Sequence, residues 1–144
     1  MTLDNIKEMI SNDIIIDKTE LDIEAINTPQ LHNKYLIMLL DEKMILSKYI
    51  NSHKILLRKK WLYYTGKMSE DELKIENWEP FSLNILKSDI EKFIGSDDEM
   101  IISNTKITFQ TEKVNYLESV VKMITNRQWL IREAIDWIKF TNGA

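Results

Sequence analysis

The chain has 144 residues, 44% of them hydrophobic, which suffices for one domain with its own core and argues against two. Three Gly and two Pro among abundant Ile, Leu, Lys, Glu and Met describe long helices rather than turn-rich β architecture, and the lack of Cys excludes disulfides and thiolate metal sites. A net charge of −4 excludes a uniformly basic surface but conceals a polarised chain: Lys43 to Ser69 holds seven bases and no acid, leaving 12 bases against 23 acids elsewhere.

The absence of Cys fits a reducing, cytoplasmic setting; the opening MTLDNIKEMISND carries acids early and does not read as a signal peptide, and no apolar run is long enough to span a membrane. Thr2 is predicted to cap a short helix whose Leu3, Ile6 and Ile10 recur at helical spacing and which ends near Ser11 to Asp13. Ile14 to Ile16, all β-branched, should be extended. Thr19 and Asp22 resemble a capping box opening a second short helix through Ile26, which Asn27 would end. Thr28-Pro29 then suits an N-cap and first turn, and nothing breaks helical sequence before Gly66, giving a central helix of about 36 residues.

Met68 to Trp78, with Glu70, Asp71 and Glu72, reads as a linker closed by Glu79-Pro80. Ser88 should cap a short helix stopped by Gly95, and Asp97 to Glu99 form a second acidic patch of the kind usually solvated. Ile101, Ile107 and Phe109 fit either an extended or a helical segment. From Val114 the period is helical, with Leu117, Val121, Ile124, Ile131, Ile135 and Ile138 in line, Trp129 and Trp137 outside it, and Asn126 a candidate break. The reading is a mainly α protein, a single domain over 1–144: N-terminal helices and the basic helix over 1–67, a linker over 68–80, and a C-terminal helical region over 81–144.

Between Met44 and Tyr63 the central helix is apolar on several sides, which either a bundle core or self-association would explain; its length favours self-association. Oligomerisation is assigned to Leu117, Val121, Ile124, Trp129, Ile131, Ile135 and Ile138. On an ideal wheel Lys54, Arg58 and Trp61 share one side, His53, Lys60, Tyr64 and Lys67 another, and Lys59 lies between apolar positions. Cations beside aromatic faces suit single-stranded nucleic acid; the competing reading is cations complementing a helix C-terminus. The 27 residues without acid favour an anionic partner, with Lys54, Arg58, Lys59, Lys60, Trp61, Tyr64 and Lys67 as contact residues. Phosphate-loop, nucleophile-elbow, zinc-protease and EF-hand patterns are absent, and His32 and His53 are too far apart on one helix to share a metal, so no catalytic residue, cofactor or metal is expected.

Through DIIIDKTELDIEA near the N-terminus, a basic helix ending in LYYTG and a C-terminal helix finishing in NGA, the chain resembles the UvsY family of phage recombination mediators. The resemblance implies a ring-like or barrel homo-oligomer in the cytoplasm of the infected bacterial host. Such a protein binds single-stranded DNA, weakens the hold of the phage single-stranded-DNA-binding protein, and helps a UvsX-type recombinase nucleate its filament. Two family DNA-binding positions fall on Arg58 and Lys60; this chain departs by placing Lys59 between them and Trp61-Leu62 after them. The alternative is an oligomeric helical scaffold or adaptor whose basic patch meets an acidic protein.

Overall fold

The computed structural model describes residues 1–143, and Ala144 of the NGA finish lies outside them. All regular structure among these residues is helical: α1 (Leu3–Asp13), α2 (Leu21–Tyr64), α3 (Glu70–Glu76), a 3₁₀ turn (Lys87–Asp89), α4 (Ile90–Gly95) and α5 (Asp98–Thr141). By packing, the chain forms two compact units, one of Met1–Met44 with the segment from Thr111 on, the other of Ile45–Gln110. Both long helices contribute to each unit.

In the first unit Thr2 caps α1 as expected, its side chain accepting from the Asn5 N–H. The helix ends on carbonyls that would be left without donors, and Arg127 of α5 supplies them. Its guanidinium donates to the carbonyls of Asp13, Ile14 and Ile15 and pairs with Glu24. Ile14 is consequently the helical C-cap of α1 rather than extended chain. Asp13 accepts from Lys34 Nζ at 2.6 Å and from the Tyr35 hydroxyl at 2.7 Å. The Lys34 bond, with the bond from Tyr35, holds the Asp13 carboxyl below its ordinary value against the opposing effect of burial.

Helix α2 starts at Leu21, not at Pro29, and runs through Pro29 without interruption. Thr19 does not cap it: its N–H and hydroxyl both bond Asp17 Oδ1, closing a local turn. Thr28 does not cap either, since its hydroxyl donates back to the Glu24 carbonyl inside the helix. An interior proline disfavours a helix by roughly 3 kcal/mol. Burial of Leu21 and the Glu24–Arg127 pair anchor the turns before Pro29 and offset that cost.

The core of this unit combines Ile6 and Ile10 of α1, Tyr35 and Leu39 of α2, and Leu117, Val120, Ile124 and Ile131 of α5. The buried line along α5 is thus Leu117, Val120, Ile124, Arg127 and Ile131, spaced three and four, whereas Val121 is only half-buried. A charged residue inside the stripe shifts the apparent register onto Val121. Leu117, Ile124 and Ile131 are at most 2% exposed, filling this core and leaving no surface for a partner subunit. Trp129, Leu130, Trp137, Ile138 and Phe140 are the exposed apolar residues near the end of α5, Ile135 is half-buried, and Asn126 does not break the helix.

Removing Arg127 would strand Glu24 and the three carbonyls. Arg127→Ala is expected to lower stability by roughly 3–5 kcal/mol in urea unfolding. Glu24→Gln combined with Arg127→Met should cost less than the sum of the single changes; additive losses would mean that the pair does not act as a unit.

Candidate nucleic-acid interface

All of the basic segment beyond Met44 lies in the second unit, along the end of α2. Gly66, at φ 72°, closes the helix: Lys67 N–H bonds the Leu62 carbonyl at 2.9 Å and Gly66 N–H bonds that of Tyr63 at 3.2 Å. This paired closure needs a left-handed residue, which glycine adopts without a Cβ clash.

Residues 68–80, expected as a linker, instead carry α3. Ser69 and Glu72 form a reciprocal capping box, and Glu70, Asp71 and Glu72 are the acidic first turn that the helix dipole favours. Asn77 takes the left-handed conformation at φ 58°, and the Trp78 N–H turns back onto the Leu73 carbonyl at 3.0 Å. That turn brings the Trp78 ring over Lys60, whose Nζ lies 3.8 Å from the ring centroid.

Lys60 is 4% exposed. Its ammonium pairs with Asp97 at 3.0 Å and with Glu99 at 3.6 Å, while Trp78 Nε1 donates to the same Glu99 oxygen at 2.7 Å. Asp97 does not sit in a solvated acidic patch. It is the N-cap of α5 with its carboxylate turned inward, the side chain accepting from Met100 N–H and the carbonyl accepting from Ile101 N–H. The Tyr64 hydroxyl donates to Asp97 at 2.7 Å. Burial works to raise the Asp97 carboxyl, but bonds from Tyr64, Lys60 and Met100 outweigh it and hold the group below 3.8. Burial, then the bond to Asp97, pushes the Tyr64 phenol well up. Tyr63, Tyr64, Trp78, Phe81 and Phe93 form a continuous aromatic cluster, with ring centroids 5.0 to 5.9 Å apart.

The bases of the segment therefore separate by environment. Lys60 faces inward, half-buried Tyr64 bonds Asp97 while lining the smaller of two surface grooves, and half-buried His53 shares a 3.0 Å hydrogen bond with Ser103; the buried Lys60 ammonium is taken up by its carboxylates. Lys59 pairs with Glu76 at 2.5 Å, and Lys43, in the first unit, with Glu118 at 3.0 Å. Among the described residues Lys48, Lys54, Arg58 and Lys67 are exposed and have no carboxylate partner, so four of the segment's seven bases keep an unneutralised charge.

Lys54, Arg58 and Trp61 occupy one outward face of α2, as the helical wheel predicts, and Lys67 joins them by placing its ammonium 4.5 Å from the Trp61 ring centroid. Trp61 stands between two open grooves of about 720 and 570 Å³. Lys54, Leu57, Arg58, Met100 and Ile101 line the larger, Lys67, Phe81, Leu83 and Lys87 the smaller, and Trp61, Glu91 and Ile94 belong to both. This second wall has no signal in the sequence, because only the folded chain brings α4 and the start of α5 beside the basic face.

An all-helical protein with an exposed cation-and-aromatic surface is suited to a flexible polyanion. The chain belongs to the UvsY family: residues 9–144 match the family of the recombination, repair and ssDNA binding protein UvsY. It is 23% identical over 143 residues to the recombination protein uvsY of Enterobacteria phage T4, covering 99% of both chains. Crystal structures of the bacteriophage T4 recombination mediator protein UvsY share its fold. One lattice type superposes with a TM-score of 0.86 at 21% identity over 97% of this chain and 99% of the other, and a second with 0.82 at 22% identity over 99% and 98%.

Because the folded Asp97 carboxyl titrates below its ordinary value, its stabilising effect is present above that value and is lost as pH falls through 3.8 and the lower folded value. Urea unfolding of Asp97→Asn should show reduced stability at neutral pH and a flatter acid limb below about pH 5. An acid limb identical to that of the unaltered protein would remove Asp97 from this role.

Proposed function

We propose that this chain is a non-catalytic recombination mediator that binds single-stranded DNA and loads a RecA-like, UvsX-type recombinase while displacing the phage single-stranded-DNA-binding protein, in the cytoplasm of the infected host. The observation that carries the DNA-binding part is the survival of Lys48, Lys54, Arg58 and Lys67 as exposed cations with no carboxylate partner among the described residues, on an otherwise acidic chain. The loading and displacing roles rest on family membership and the T4 relative. Phosphates of a single strand release counter-ions on meeting such cations, which gives affinity without base specificity.

Self-association completes the proposal. Trp129, Leu130, Trp137, Ile138 and Phe140 form an exposed apolar stretch, and Ile37, Leu40 and Met44 of α2 are also half-exposed or more. A homo-oligomer covers apolar surface and repeats the basic face, so a strand held weakly by each copy gains from effective concentration. Arg58 serves the surface of each copy, whereas Lys60 supports it from within.

Oligonucleotide binding measured against salt tests the proposal. Arg58→Ala, Lys54→Ala and Lys67→Ala should each lower the log–log slope by about 0.7 for every phosphate that the assembly no longer neutralises. Lys60→Ala should instead reduce thermal stability. No binding to single strands at low salt would reject the reading in favour of an adaptor for an acidic protein. In light scattering, Trp137→Asp with Phe140→Asp is expected to give a smaller assembly with its helicity intact, and an unchanged mass would move the subunit interface elsewhere.

A further inference from the structure

We propose that Trp61 is a stacking platform and that the two grooves beside it accept successive bases of one single strand, an inference that rests on the DNA-binding reading and specifies its site. Three observations converge. Trp61 is 44% exposed although it lies beside a well-packed aromatic cluster that buries Tyr63 and Tyr64 more deeply. It is shared by both grooves, so the indole borders two separate cavities. Each cavity has cations of its own, Lys54 and Arg58 in one and Lys67 and Lys87 in the other.

The character of the walls determines which part of a nucleotide enters. Leu57, Met100 and Ile101 make one floor apolar, and Phe81 and Leu83 do the same for the other. Apolar floors accept a planar base and disfavour a hydrated phosphate. Glu91 lines both grooves and has no cation within ion-pair distance among the described residues. A free carboxylate repels phosphate but can accept hydrogen bonds from exocyclic amino groups of bases. Lys54, Arg58 and Trp61 are spaced four and three residues apart on one face, with Lys54 and Arg58 ~6 Å apart along the helix axis. The backbone can therefore follow the cations while bases turn inward on either side of the indole. Lys67, already stacked against the ring, would move to a phosphate when a base takes its place.

The test crosses two changes: Trp61→Ala in the full chain, and an oligonucleotide whose central nucleotides are abasic but keep every phosphate. On an ordinary strand Trp61→Ala should weaken binding by about 5- to 150-fold for each stacked base, with the salt slope unchanged. The unaltered protein should lose a similar factor on the abasic strand, and the two changes together should cost little more than either alone. Trp61→Phe should restore part of the affinity, separating loss of an aromatic face from loss of fold. Equal affinity of Trp61→Ala and unaltered protein for the ordinary strand would overturn the proposal while leaving DNA binding intact. Independent, multiplying losses would equally overturn it, because Trp61 and the bases would then not be in contact. If the unaltered protein binds neither strand, it is the DNA-binding reading itself that fails.

Discussion

A charged side chain set between two helices permits only the register that brings its counter-ion opposite, and each unit of this protein contains such a restriction. In the Ile45–Gln110 unit it is Lys60, held by Asp97 and Glu99 under the Trp78 ring. Breaking one partner of a buried pair is far more costly than the pair is intrinsically stabilising, so its effect is to exclude other registers. Helix α2 supplies the ammonium, the N-terminus of α5 the carboxylates, and the turn after α3 the indole. Fixing those three fixes the walls beside Trp61.

The first unit uses the same device with different chemistry. Arg127 occupies a position in the buried stripe of α5 where the pattern calls for an aliphatic residue, and it uses the fork geometry of guanidinium to join Glu24 to three carbonyls at the end of α1. The DIIIDKTELDIEA segment, which carries the family resemblance, is thus where α1, the loop and the start of α2 meet one cation. Within the same unit Glu42 and Lys113 pair at 3.4 Å, continuing the antiparallel match of α2 with α5.

Neighbouring bases of the basic segment have opposite environments. Arg58 and Lys60 differ by two residues, so on a helix they point about 160° apart. One faces solvent and the other is enclosed. The aromatic residues divide in the same way: Tyr63 and Tyr64 build the cluster that supports α3, leaving Trp61 on the outer face. A positive surface on an acidic chain therefore depends on which ammonium groups are satisfied internally, more than on how many the segment contains.

Local signals are legible in the sequence wherever the deciding interaction is itself local. Thr2 capping α1, Gly66 ending α2 and the separation of Lys54, Arg58 and Trp61 from Lys60 follow from caps, left-handed backbone and a turn of about 100° per residue. Where a distant partner decides, local signals mislead: Pro29 continues a helix because Leu21 and Glu24 are anchored on another element, and Arg127 occupies the core line beside Val120 because three carbonyls and Glu24 satisfy it. For the acid-free segment, sequence alone determined that a concentrated positive charge exists and that it lies on a helix. Only tertiary structure decided which cations remain available to a partner, because burial and counter-ions at Asp97, Glu99 and Glu76 come from residues 17 or more positions away.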